Sequence, residues 1–150
     1  MTAIEQAFRE RFPKADVYVH NPRRYYLRIP REDITAAARL MHQELGLRLS
    51  ICTGIDTREG YEILYHFSDD KLGALYTLKV LVPKDDPKIE SQGAWFPAAE
   101  WIEREMAELL GIEFVGHPNP RPFLTSDTDW DPARLPLRRD YEHRAEQHEK

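Results

Sequence analysis

Five ionisable side chains crowd one short stretch: Glu103, Arg104, Glu105, Glu108 and His117. Carboxylates beside an arginine and a histidine are what general acid–base chemistry uses, so a hydrolytic centre built on Glu103, Glu105 or His117 is one reading. Spacing makes a second. Residues 98–110 predict a helix, with Pro97 suited to its first turn and Gly111 to its end. At about 100° per residue, Ala98, Ile102, Met106 and Leu109 gather on one side, flanked by Trp101 and Leu110. Glu100, Glu103, Arg104 and Glu108 mostly point away, and Glu100 and Arg104 are spaced for a helix-surface pair. Glu105 falls on the apolar arc. A carboxylate there either sits partly exposed at the edge of the stripe, or pairs with a cation from Arg121, Arg138, Arg139 or a partner chain.

Other catalytic patterns are missing. The sequence has no glycine-rich phosphate loop, nucleophile elbow or zinc-ligand spacing. His20, His42, His66 and His117 are scattered, and His143 and His148 lie in a charged tail. His66 sits inside a strand pattern and reads as a hydrogen-bonded structural residue. The single cysteine, Cys52, excludes an intrachain disulfide and a cysteine-ligated iron–sulfur cluster, which needs about four ligands. Its apolar neighbours make it a small buried hydrophobe.

The elements that must position these residues follow from pattern. Residues 2–12 predict a helix stopped by Pro13, 16–20 and 25–29 two strands, and 32–45 a helix ended by Gly46. Residues 47–55, 62–67 and 74–82 predict strands joined by short turns, hence antiparallel neighbours, and 74–82 alternates loosely enough to be covered on both faces. Residues 83–93 read as a polar connection. After Gly116, Pro118, Pro120, Pro122, Pro132 and Pro136 forbid helix and central strand, yet Phe123, Leu124, Trp130 and Leu135 are too apolar for a disordered tail. The expectation is α+β: a mostly antiparallel sheet with helices packed on it over 1–115. An extended proline-rich C-terminal arm over 116–150, part of the same unit, lies on this domain or on a partner.

Bulk composition narrows the partners. With 21 Lys and Arg against 26 Asp and Glu, the net charge is −5, which argues against nucleic acid. No window reaches the roughly 18 apolar residues of a membrane span, and no signal-peptide core is evident, so the expected compartment is the cytoplasm.

The run from Glu103-Arg104-Glu105 through Glu108 and Gly111 to Gly116-His117-Pro118 resembles the signature of the 30-kDa subunit of respiratory complex I, an NADH:quinone oxidoreductase. The similarity covers about 72–141 and includes Trp95, Trp101, Arg121, Trp130 and the ending Arg138-Arg139-Asp140-Tyr141. Arg121-Pro122-Phe123-Leu124-Thr125 looks more like relatives in membrane-bound energy-converting hydrogenases and ferredoxin-linked complexes. The resemblance implies a peripheral-arm subunit without catalysis or cofactor of its own. It would dock on the large subunit that forms the quinone or nickel–iron site, with iron–sulfur clusters, and nickel–iron in hydrogenases, held by partner subunits. It also implies a peripheral position on the cytoplasmic side of the membrane, held through the complex. Either parent complex, and a free-standing assembly module, stay open at this point.

Overall fold

The computed structural model describes residues 2–141. The chain opens with α1 (Ala3–Arg11), whose first turn is capped by Thr2: its hydroxyl accepts from the Glu5 amide at 3.1 Å. A hairpin follows, β1 (Asp16–Asn21) and β2 (Arg24–Ile29). Then come a short helical segment around α2 (Ile34–Arg39) and the meander β3 (Arg48–Asp56), β4 (Tyr61–Asp69) and β5 (Ala74–Val82). The strands form one sheet in the order β1-β2-β5-β4-β3, antiparallel except where β2 runs parallel to β5. The fold is therefore α+β with a mostly antiparallel sheet, as the sequence pattern implies.

Alternation along the strands sends one set of side chains to the helices. Register places Tyr25 opposite Tyr76, Leu27 opposite Leu78, and Leu78 opposite Tyr65. All of these side chains are buried, and the Tyr25 and Tyr76 rings stack at 4.6 Å. Each contributes about 1.5–3 kcal/mol of apolar burial. The opposite face carries Arg28, Glu62 and Lys79, with Lys79 Nζ 2.9 Å from Glu62. On β5, Tyr76, Leu78, Val80 and Val82 are buried, but Leu75, Lys79 and Leu81 are only half-buried. Full cover on both faces, expected from the loose alternation, is thus limited to Thr77, whose hydroxyl lies 2.9 Å from His66 Nδ1. His66 is the structural residue its strand position suggests. Burial lowers its pKa.

One local expectation holds with a refinement and one fails. The helix expected over 32–45 is present as a continuous helical run, wound tightly at Arg31–Asp33, regularly in α2, and widely at Leu40–Glu44. There the Leu45 amide reaches back five residues to the Leu40 carbonyl at 3.0 Å. Leu40 and Met41 enter the core from this wide turn, and after Gly46, at φ 68°, redirects the chain, Leu47 enters it too. In addition, the connection 83–93 holds a strand, β6 (Lys88–Glu90), paired in parallel with β7 (Glu113–Val115). Ile89 and Phe114 face each other across that pair and both are buried. Between them runs α3 (Pro97–Leu110), the helix expected over 98–110.

Candidate functional site

Helix α3 carries the signature residues, and its orientation departs from the apolar-arc expectation. Glu103 is wholly buried and Arg104 is 9% exposed, whereas Ala98 is exposed and Leu109 half-buried. Helical periodicity sends charges to water unless the interior offers partners, and here it does. Glu103 accepts hydrogen bonds from the Tyr65 hydroxyl at 3.2 Å, the Ser91 hydroxyl at 2.5 Å, and the amides of Gln92 at 2.8 Å and Gly93 at 3.3 Å. One carboxylate thus ties β4 and the 91–93 loop to α3. Burial raises the Glu103 pKa, and the bonds from Ser91, Gln92 and Tyr65 pull it back.

His117 closes the same cluster. The Asn119 amide can only donate, so His117 Nδ1 accepts from it at 3.0 Å. Its Nε2–H then donates to the Glu100 carbonyl at 2.9 Å, with Glu103 3.9 Å away. Glu103 and His117 thus meet although the helical pattern turns Glu103 toward water, and both side chains are almost wholly buried. Cys52 is also buried, and burial, then the nearby Glu103 charge, push its thiol pKa up.

Arg104 serves the other side of the helix. Instead of pairing with Glu100, it donates from Nε to the Arg121 carbonyl at 2.7 Å and from Nη2 to the Pro122 carbonyl at 2.8 Å. Its guanidinium also lies 5.0 Å from the Trp101 ring and 5.4 Å from Phe123. One turn on, Glu108 accepts from the amides of Phe123, Leu124 and Thr125 at 2.8–3.1 Å, and from the Thr125 hydroxyl. Burial is the largest single influence and raises its pKa, but the donors together outweigh it and hold the carboxyl below the usual carboxylate range. The spacing of Arg104 and Glu108 therefore grips the arm over 121–125, carbonyls at one end and amides at the other.

The arm returns to the end of the same helix. Leu137 N–H donates to the Leu109 carbonyl at 3.1 Å and Arg138 Nε to the Leu110 carbonyl at 2.8 Å. Gly111 makes room: its φ is 75°, and a Cβ there would lie 2.7 Å from Arg138 Nη2 and 2.8 Å from Leu135. Gly116, at φ 76°, turns the chain toward His117 and the exposed Pro118. Arg139 meets Asp56 through its amide at 2.9 Å, while Arg121 folds back on Asn119. Trp130 donates to the Arg134 carbonyl at 3.1 Å, and Arg134 in turn reaches the Tyr141 hydroxyl at 2.8 Å. Asp140 is exposed. Residues 142–150, with His143 and His148, lie outside the described residues.

Glu105 stands apart. It is half-buried, and among the described residues none forms a hydrogen bond or ion pair with it; the Arg121 and Arg138 side chains bond Asn119 and the Leu110 carbonyl instead, and Arg139 does not pair with it. Exposed Ile51 and Leu137 line the same surface depression as Glu105, and exposed Trp101 lies one helical turn before it; the three are 49–54% exposed. Sequence reasoning missed Tyr65, Ser91 and Gln92 as partners of the signature. Only the short Ser-Gln-Gly run before Trp95 hints that a turn precedes the helix.

Among the described residues no three His, Cys, Asp or Glu side chains cluster as metal ligands, and no helix is long and apolar enough to cross a membrane.

Residues 27–147 match the family model described as respiratory-chain NADH dehydrogenase, 30 Kd subunit. The chain belongs to this family. It is 40% identical over 85 residues to the C/D subunit of an NADH-quinone oxidoreductase of Methylococcus capsulatus, covering 57% of this chain and 14% of that protein. It is 31% identical over 146 residues to the membrane-bound hydrogenase subunit beta of Pyrococcus furiosus, covering 91% of this chain and 83% of the relative. Among solved structures, a chain of the membrane-bound sulfane sulfur reductase, an archaeal respiratory membrane complex, superposes with a TM-score of 0.78 at 26% identity. That match covers 95% of this chain and 85% of the other. The chain spans about half or less of the length of the NADH-quinone oxidoreductase relatives it matches.

Proposed function

We propose that this family member is a non-catalytic structural subunit of the peripheral arm of a complex I-like oxidoreductase. It docks on the large subunit that forms the quinone or nickel–iron site. The observation that carries this is the division of labour on α3: Arg104 and Glu108 hold the arm's backbone in place while Leu124, Leu137 and Trp101 stay exposed beside it. A fixed backbone displaying unfilled apolar side chains is built for contact rather than reaction. The Methylococcus relative supports a constant close neighbour, since its name joins two subunits in one chain. Iron–sulfur clusters, and nickel–iron where present, belong to the partner subunits, and the chain sits peripherally on the cytoplasmic side of the membrane through them.

A second reading places it in a membrane-bound energy-converting hydrogenase or a related sulfur-reducing complex. The breadth of the match to the Pyrococcus protein favours this, at 91% of one chain and 83% of the other.

Both are tested by purifying the tagged chain from its host and measuring co-purified subunits, iron and nickel. Stoichiometric large and iron–sulfur subunits are expected; nickel in the preparation selects the hydrogenase. A chain that emerges alone, or with substoichiometric partners, sinks the docking role and favours a free-standing assembly module.

A further inference from the structure

Strand β3 is an edge. It pairs with β4 on one side, and among the described residues no backbone hydrogen bond reaches its other side. Edge strands are normally blunted by lysine, proline or strong irregularity. The opposite edge, β1, is short, bulged near its end and followed by Pro22. Residues 51–55 of β3 carry no charge and no proline, and the one irregularity, at Ser50, lies before them.

A surface depression runs along this edge. Its lining includes four consecutive β3 residues, 51–54, together with Glu105 of α3 and Leu137 of the arm. Successive strand side chains point to opposite faces, so four in a row can line one hollow only along the strand's edge. The helix is held hard against the strand: a Cβ on Gly54 would lie 2.8 Å from both Leu110 and Met106. That closeness delivers Glu105 to the rim. The hollow therefore offers free strand hydrogen-bonding groups, exposed Ile51, and one carboxylate without a partner among the described residues, and exposed Ile55 continues the same edge beyond it.

The geometry points to β-strand addition: an extended segment of the large partner subunit pairs with β3 over residues 51–55. Its apolar side chains rest on Ile51, Ile55 and Leu137, and an arginine or lysine reaches Glu105. This rests on the docking role proposed above and specifies where and by what chemistry docking occurs. A basic residue is the complement because a half-buried carboxylate in apolar surroundings is stabilised by a charge-assisted partner.

The test compares amide hydrogen exchange of the wild-type chain alone and within the complex purified from its host. It adds retention of Ile51→Lys and Glu105→Lys in that complex. Amides in 51–55 are expected to exchange at least about tenfold more slowly in the complex, and each variant to be retained about tenfold less, with melting temperatures of the isolated variants unchanged. If the wild type is retained but exchange at 51–55 is the same in both states, or both variants are retained normally, strand addition is overturned and the docking role stands. Protection that instead grows with concentration of the isolated chain means a second copy occupies the edge, and also overturns it. If the wild type is not retained at all, both fail.

Discussion

Helix α3 carries two polar clusters that use the same residue types to opposite ends. Around Glu103, a carboxylate is sunk in the domain and answered by groups from β4 and the 91–93 loop. Around Arg104 and Glu108, charges lie at the rim and answer an arm without helix or strand. The first cluster belongs to the core's integrity, the second to the arm's placement. A signature that looks like one block of ionisable residues is two devices, interleaved by helical spacing.

Removing Glu103 should separate them most sharply. Glu103→Ala leaves the Tyr65 and Ser91 hydroxyls and the Gln92 amide without their acceptor, while the Gly93 amide keeps Ser91 Oγ, and each buried orphan costs about 1–3 kcal/mol. A loss of at least about 3 kcal/mol by chemical denaturation is expected. A loss below about 1 kcal/mol would mean that the cluster is not structural. Arg104→Ala should act on the arm first. Limited proteolysis of 121–125 in the isolated chain should speed up several-fold, while the unfolding midpoint moves less than for Glu103→Ala. Equal midpoint shifts would merge the two clusters into one.

The smallest effect is one of pH. Glu108 has a folded pKa below its unfolded value, so its grip on the arm is present above about pH 4.5 and is lost as pH falls through the folded pKa. Exchange at amides 123–125 should therefore accelerate on acidification, and Glu108→Gln should show the accelerated rate already at pH 7. Glu103 has the opposite sign. Its pKa is raised, so its contribution to stability declines as pH rises from the unfolded value through the folded one. Acidification that loosened both regions in parallel would contradict this division.

The meander β3–β4–β5 and the existence of α3 were legible because alternation, turn residues and a Pro-to-Gly frame are local signals. The facing of α3 was not. Periodicity treats every charge as water-seeking, whereas Glu103 finds its donors at Tyr65 and 91–93, which nothing local to the helix announces. The parallel pairing of β2 with β5 was hidden for the same reason: turn signals speak only for strands adjacent in sequence. The three-residue strands β6 and β7 are too short for any period to register. Of the signature, the sequence located the residues and singled out Glu105, while the roles of Arg104 and Glu108 needed the arm's path.

The parallel seam between β2 and β5 also governs the order of assembly. Residues 24–29 find their neighbours at 75–80, across the whole of α2, β3 and β4. During synthesis the β1–β2 hairpin emerges first yet has no sheet to join until β5 has left the ribosome, whereas β3, β4 and β5 can zip in sequence. The β1–β2 hairpin is thus expected to be the last part of the sheet to settle, an order that pulse-labelled hydrogen exchange during refolding would read.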